Sequence, residues 1–304
     1  VLRISRDQLT YAFDAAIPPV ATIRPGETLT VETYDTSTGR VNKPEDVPEF
    51  VRVRDPKKVN PACGPFLVEG AEPGDALAVE ILEIRLAPLG WVRALGGAGV
   101  VQDGIAENGI VMVRVEGDDL IFGEKLRFRA RPMVGVLGTA PAEGTVYTAH
   151  PGPQGSNMDY TPIAAGAKVY LPVHVPGALL AIGDVHASMG DGEVSGTGVE
   201  INGEVTVRVE LLKGAAPARP WIETPDAWIA TGQGPTLDDA VGEAVEGLTR
   251  MLMDRFDLDR TEAFLLVSAR GDVRIGQCAR IKGCDATAFA MFPKDIERLE
   301  RERK

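Results

Sequence analysis

A chain of 304 residues with 44% hydrophobic content can bury a substantial core, as one large domain or two. Its 44 acidic against 32 basic side chains leave a net charge of −12, which argues against nucleic acid or an anionic membrane as main partner. No window approaches about 18 apolar residues, and the opening VLRISRDQL lacks a signal-peptide pattern, so a cytoplasmic protein without a membrane span is expected.

Early in the chain, Thr28-Leu29-Thr30-Val31-Glu32 alternates between a Pro-Gly turn and Asp35, as a strand leaving a turn does. Residues 40–60 are charged and Pro-containing and read as a surface loop. NPACGPFLVEG is a turn and a strand. ALAVEILEI is a second strand with Leu77, Val79, Ile81 and Ile84 inward and a slip in the alternation near Glu83. Asp75, beside Gly74, is explained by turn chemistry. Residues 87–105 are Gly-rich without a phosphate-binding spacing and read as a loop anchored by Trp91. Short strands follow at 111–115, 120–122 and 126–128. RPMVGVLGTAP then runs apolar at 133–137 as a fully buried strand.

The stretch 147–213 concentrates the chemistry. It holds all three histidines and the carboxylates Asp159, Asp184, Asp191, Glu193, Glu200 and Glu204. If 182–186 is a strand, Asp184 and His186 share a face, because strand side chains alternate with period 2. With Asn157 and Asp159 entering from another short element, oxygen and imidazole ligands can converge on a hard or borderline cation. Asp159, Asp184 and His186 are therefore the metal candidates, Zn foremost, with Ca as a second or structural ion. The bland reading of His186 is a bond to a backbone carbonyl. His174 lies on the opposite strand face from Leu171, Val173 and Val175 and reads as structural. His150 is open between a loop residue and a neighbour of the metal. Asp191-Gly192 is a turn signal, after which Glu193 points into the cleft as the proton carrier, with Asp191 the second catalytic candidate. Glu200 is held as a supporting acid, and Glu204, after Asn202-Gly203, as solvated.

Beyond 215, strands around Trp221 and Trp228 give way to a helix over 236–256. Its stripe is Leu237, Val241, Val245, Leu248, Leu252 and Phe256, with Thr236 as N-cap and Asp238, Asp239, Glu243 and Arg250 outward. A second helix opens at Asp259, DVRIGQCARI reads as a strand, and a charged tail closes the chain. The pattern predicts a mainly β body of sandwich or barrel type at 1–215, with two packed β subdomains as an option. A small α/β unit is expected at 216–304. Cys63, Cys278 and Cys284 form no CxxC unit and read as reduced thiols.

GSNMD, YLPVHVPGALLAIGDVHASMGDGEVSGTGVE, RPMVGVLGTAP and NPACGPFLVEGAEPGDAL together resemble the acetamidase/formamidase family along almost the whole chain. Where the family usually reads GGNMD, Ser156 replaces the second Gly. The resemblance implies a β-sandwich and barrel body with a small C-terminal α/β unit and a homo-oligomer. It also implies hydrolysis of short amides of the formamide and acetamide type, releasing ammonia and the carboxylate. Glu32 and Asp35 fit family positions of the VETxD kind and, with Asn157, are the substrate-binding candidates. No Ser-Ser-Lys loop or GxSxG elbow occurs, so the residues favour metal-assisted hydrolysis. Cys63 as a nitrilase-like nucleophile lacks its partners. Two alternatives stand: a larger amide or another linear C–N bond as substrate, and a non-enzymatic β-sandwich module with a structural Ca²⁺.

Overall fold

Two long antiparallel strands, Ala76–Arg93 and Glu200–Leu212, pair from Leu212↔Ala76 to Trp91↔Glu200 and form the spine of the computed structural model, which describes residues 1–297. In the second, Val205, Val207 and Val209 are fully buried while Thr206, Arg208 and Glu210 face outward, the alternation of a half-buried strand. The register shifts between Thr206 and Val207, opposite Glu83, where the sequence alternation slips. Thr28–Thr33 pairs with Glu200–Leu212, while Lys168–Pro172 and Ile110–Glu116 pair with the two ends of Ala76–Arg93. The result is a mostly β, curled, largely antiparallel sheet.

A second ladder carries the site. Met133–Gly138 is buried throughout and lies between Leu180–His186 and Gly155–Asn157. Leu180–His186 also pairs with Ala62–Val68. Covered on both faces, these strands read as continuous apolar runs rather than alternations.

The sheet continues past residue 215. Trp221–Glu223 pairs with Lys168–Pro172, and Ala227–Gly234, Ala286–Pro293 and Asp272–Ile275 follow in turn. Alternation then divides two cores. Ile229 and Phe289 join the main cluster, whereas Ala230, Ala290 and Phe292 face the helices. The long helix Leu237–Phe256 starts on a reciprocal capping box between Thr236 and Asp239. Its buried line is Ala240, Ala244, Leu248, Thr249 and Leu252; Val241 and Val245, expected at its centre, are half-buried. Small side chains face the sheet and set the helix rotation. Glu243, expected outward, turns to Arg219 at 2.5 Å. Helix Arg260–Arg270 has its own capping box, on Asp259 and Glu262.

Three segments differ from expectation. The 40–60 stretch contains a 3-10 turn, Pro44–Asp46, and a helix, Val47–Val53, whose Val47 and Phe50 pack with Trp91. The expected Gly-rich loop at 87–105 begins only after Arg93, because Trp91 is paired within the sheet. Ala286–Pro293 forms an unanticipated strand, while 276–285 leaves the sheet as a loop toward the site. The charged tail from 298 lies outside the described residues. Among the described residues no helix is long and apolar enough to cross a membrane.

Candidate active site

His186 ends its strand directly opposite Glu200, so imidazole and carboxylate meet across one ladder position. Glu200 Oε1 lies 3.2 Å from His186 Nε2, out of line for a hydrogen bond, and Asp184 Oδ1 lies 3.7 Å from it, beyond hydrogen-bond reach. Asp159 and Glu193 close the other side. Asp159, His186 and Glu193 offer ligand atoms within 4.8 Å of one another, as do Asp184, His186 and Glu200. Two donor groups thus share one imidazole, and all five side chains are buried.

The backbone is bent to bring them in. Asp159, Asp184 and Glu193 have φ of 49°, 55° and 43°, a left-handed conformation uncommon for residues with a side chain. Ser156 holds φ 80°, so it keeps a glycine-type conformation despite its Cβ. Gly135 lies between two of the acids: a Cβ there would stand 2.5 Å from Asp159 Oδ1 and 2.9 Å from Asp184 Oδ2. The imidazole rests on Gly198, where a Cβ would meet Nδ1 at 2.7 Å.

Amides brace the acids. Gln277 Nε2 donates to Glu193 Oε2 at 2.7 Å and to Asp159 Oδ2 at 3.2 Å. Asn60 Nδ2 donates to Asp184 Oδ2 at 2.9 Å and to Asn157 Oδ1 at 3.2 Å. Asp159 Oδ1, Asp184 Oδ1 and both His186 nitrogens nevertheless have no hydrogen-bond partner. Burial first, and the neighbouring acids after it, push Asp159 up to about 6, Glu193 up to about 8 and Asp184 well above the usual carboxylate range. Burial pulls His186 down, but Glu200, Asp184 and Asp159 outweigh it and raise the imidazole overall. Four acids around one imidazole, with unpartnered lone pairs facing one another, fit a cation.

A cavity of about 380 Å³ reaches this floor, where Asn60, Asn157, Glu193, Glu200 and Gln277 line it. None of the five clustered side chains lines the larger, 620 Å³ cavity against the long helix.

Of the sequence candidates, Asp159, Asp184, His186, Glu193 and Asn157 come together. Three others are placed elsewhere. Glu32 lies at the surface beside Arg3 at 2.8 Å, because its strand turns that face outward. Asp35 is buried behind the cluster, near enough for the Glu200 charge to act on it, but is spent on its own turn, accepting from Ser37, Gly39 and Trp91. Asp191 sits on the outer side of its turn, bonded to Thr161 and 2.5 Å from Arg274. His150 lines the cavity wall with Nδ1 3.2 Å from Cys284 Sγ, and Glu204 pairs with Arg3. Cys63 is pushed up to about 12, chiefly by burial, which leaves it inert. Asn60 and Gln277 escaped the sequence reading: the first stood in a turn motif, the second in an apparent strand. Their one signal, an uncharged amide buried among acids, is visible only in three dimensions.

Fold and cluster define a β-rich protein with a buried acid–imidazole centre of metal-ligating type. The chain belongs to the acetamidase/formamidase family, whose model matches residues 5–147 and 142–296. It is 35% identical to an acetamidase of Bacillus halodurans, covering 96% of this chain and 97% of that one, with a TM-score of 0.90. A recombinant predicted acetamidase/formamidase of the thermophile Thermoanaerobacter tengcongensis is 37% identical, covering 96% and 95%, with a TM-score of 0.90. The acetamidase of Mycolicibacterium smegmatis is 29% identical over 262 residues, 65% of this chain and 64% of that protein. The chain spans less than two thirds of the length of the curated relatives it matches.

Proposed function

We propose that this chain is a metal-assisted amidohydrolase that cleaves linear amides to a carboxylate and ammonia. The observation that carries the reading is the set of unpartnered oxygens and imidazole nitrogens on Asp159, Asp184 and His186, held next to Glu193 and Glu200 at the foot of a cavity. Asp159, Asp184 and His186 would hold the ion, with Glu200 as a further donor. The imidazole favours Zn²⁺ over Ca²⁺, which takes oxygen ligands. The chemistry such an ion supplies when bound is Lewis acidity toward a carbonyl oxygen and toward water.

The remaining work belongs to this chain's own groups. In its ionised form, Glu193 accepts the proton of the attacking water at the oxygen that Gln277 leaves free and returns it to the departing amine. Gln277 holds Glu193 and Asp159 together, so proton carrier and ligand move as one. Asn60 fixes Asp184 and Asn157, whose amide presents a polar edge to a bound amide group. The family supports formamide- or acetamide-type substrates, and assembly as a homo-oligomer belongs to the same family-based reading.

The test is metal analysis together with ammonia release from formamide and acetamide, before and after chelation. Turnover lost on chelation and restored by Zn²⁺ is expected. Full turnover in metal-free protein overturns the metal-assisted reading, and metal-loaded protein inert toward amides overturns the hydrolase.

A further inference from the structure

The cavity above the acid floor is walled by cations. Arg54, Arg93, Arg280 and Lys282 line it, whereas its acidic lining is Glu193 and Glu200 alone. In a chain of net charge −12 this is a local reversal of sign, and charged clefts of one sign draw in ligands of the other. None of the four cations forms an ion pair with a carboxylate among the described residues.

Arg93 is the informative member. It is 3% exposed, and its Nε is buried with no hydrogen-bond partner. Its Nη1 donates to the neutral Asn108 at 2.8 Å, and the guanidinium lies 5.7 Å from the Phe50 ring centroid. These contacts explain its position; the one carboxylate acting on its charge is Glu200 on the acid floor, which forms no ion pair with it and stands closer to His186. Burial first, and the nearby Arg54 charge after it, outweigh the pull of Glu200 and lower its pKa to about 10, so it stays cationic at neutral pH. An arginine kept charged and buried, with Nε unpartnered and no carboxylate among the described residues in ion-pair contact, is expensive unless a ligand supplies the anion. It also stands close to the chemistry. Trp91, two residues earlier on the same strand, is directly opposite Glu200. The cavity volume points the same way, since 380 Å³ has room for about a dozen waters and formamide or acetamide occupies little of it.

Resting on the amidohydrolase reading, we propose that among linear amides the site prefers one whose far end carries a carboxylate, bound by Arg93 and Arg54, with the exposed Arg280 also lining the cavity. The acid floor then meets the amide carbon while the cationic wall takes the opposite end. A guanidinium fork matches a carboxylate bidentately, which makes this end the one that sets orientation.

The experiment compares kcat/KM for ammonia release from succinamate with that from butyramide, its uncharged counterpart, and from 4-aminobutanamide. Succinamate should lead butyramide by roughly 10- to 100-fold, the range of a charge-assisted contact, and the amine-bearing amide should be poorest. Arg93→Gln should bring the succinamate-to-butyramide ratio toward one, with melting temperature checked on the same preparation. Arg280→Gln, at an exposed position, should lower the ratio less and keeps the test alive if Arg93→Gln fails to fold. Butyramide turned over as well as succinamate overturns the anion site and leaves the hydrolase standing. If no amide is cleaved, the hydrolase reading fails, and calorimetric titration with succinate against 1,4-butanediol decides the site on its own. Succinate binding that Arg93→Gln or Arg280→Gln weakens then upholds the anion site, and absence of succinate binding overturns it.

Discussion

Asp75 and Asp159 are both aspartates with almost no exposed surface, the first just beneath it against Lys213 and the second at the floor of the cavity, and their surroundings differ sharply. Asp75 is met by Lys213 Nζ at 2.6 Å and by the backbone N–H groups of Gly214 and Glu72 at 2.9 and 2.8 Å. Lys213 and those N–H groups hold it down at about 2. Asp159 is given one amide, Gln277, and keeps an oxygen with no partner. Burial pushes it the other way, up to about 6. The fold can satisfy a buried carboxylate when the carboxylate is structural. At the floor of the cavity it gathers four and, among the described residues, gives none of them an ion pair with a lysine or arginine, which marks a site built for something outside the chain.

The largest expected effect breaks the contrast on the side of the floor. His186 belongs to both donor groups, so His186→Ala removes a ligand from each. Bound metal and amide turnover should vanish together, a greater loss than the roughly 10²–10⁴-fold contributed by a general base. Metal content and ammonia release measured on one preparation check it, and a metal-free variant with residual full turnover would contradict the assignment.

Glu193→Gln sharpens the same contrast, because it keeps shape and removes only the ability to take a proton. Ammonia release should fall by roughly 10²–10⁴-fold with metal retained. Loss of metal instead would make Glu193 a ligand, and full turnover would take it out of the mechanism.

Why one acid reads as structural and the next as functional was only partly legible in the sequence. Alternation and caps anticipate the strand near Thr28–Thr33 and the helices after Thr236 and Asp259, because these depend on neighbours in sequence. Asp184-x-His186 was legible for the same reason, through strand periodicity. Glu193, Glu200 and Gln277 meet only because the spine pairs Glu200 with Trp91 while the 276–285 loop leaves the C-terminal sheet and crosses toward the floor. No local pattern encodes that meeting. Asp191 shows the reverse. The turn it shapes was legible, but a catalytic role for it was not fixed by sequence, and the structure sets its carboxylate against Thr161 and Arg274 on the outer side of that turn.

Asp75 offers a smaller test, through pH. Its folded pKa is depressed, so its contribution to stability is present above the unfolded value of about 3.9 and is lost as pH falls toward the folded value. Urea midpoints should therefore decline between about pH 4 and about pH 2 in the wild type, and Asp75→Asn should flatten that part of the decline. Equal slopes in both proteins would mean that the Lys213 contact does not persist in solution.

The smallest effect is expected at Asp191, and it is the sharpest check on how the turn divides inside from outside. Its carboxylate pairs with Arg274 and accepts from Thr161, with the side chain about a quarter exposed, at 27%. Exposed ion pairs of this kind are worth about 0.2–1 kcal/mol, and nothing in the contact touches the floor. Thr161 follows Asp159 by two residues and Asp191 precedes Glu193 by two, so the pair can tie the two acid-bearing segments without acting in the chemistry. Asp191→Asn keeps the Thr161 bond and weakens only the charge pair. Turnover within a few-fold of wild type, an unchanged pH profile and unchanged metal content are expected. A fall of roughly 10²-fold or more with metal retained would return Asp191 to proton transfer. Loss of metal would show that the outer ion pair sets the ligand geometry.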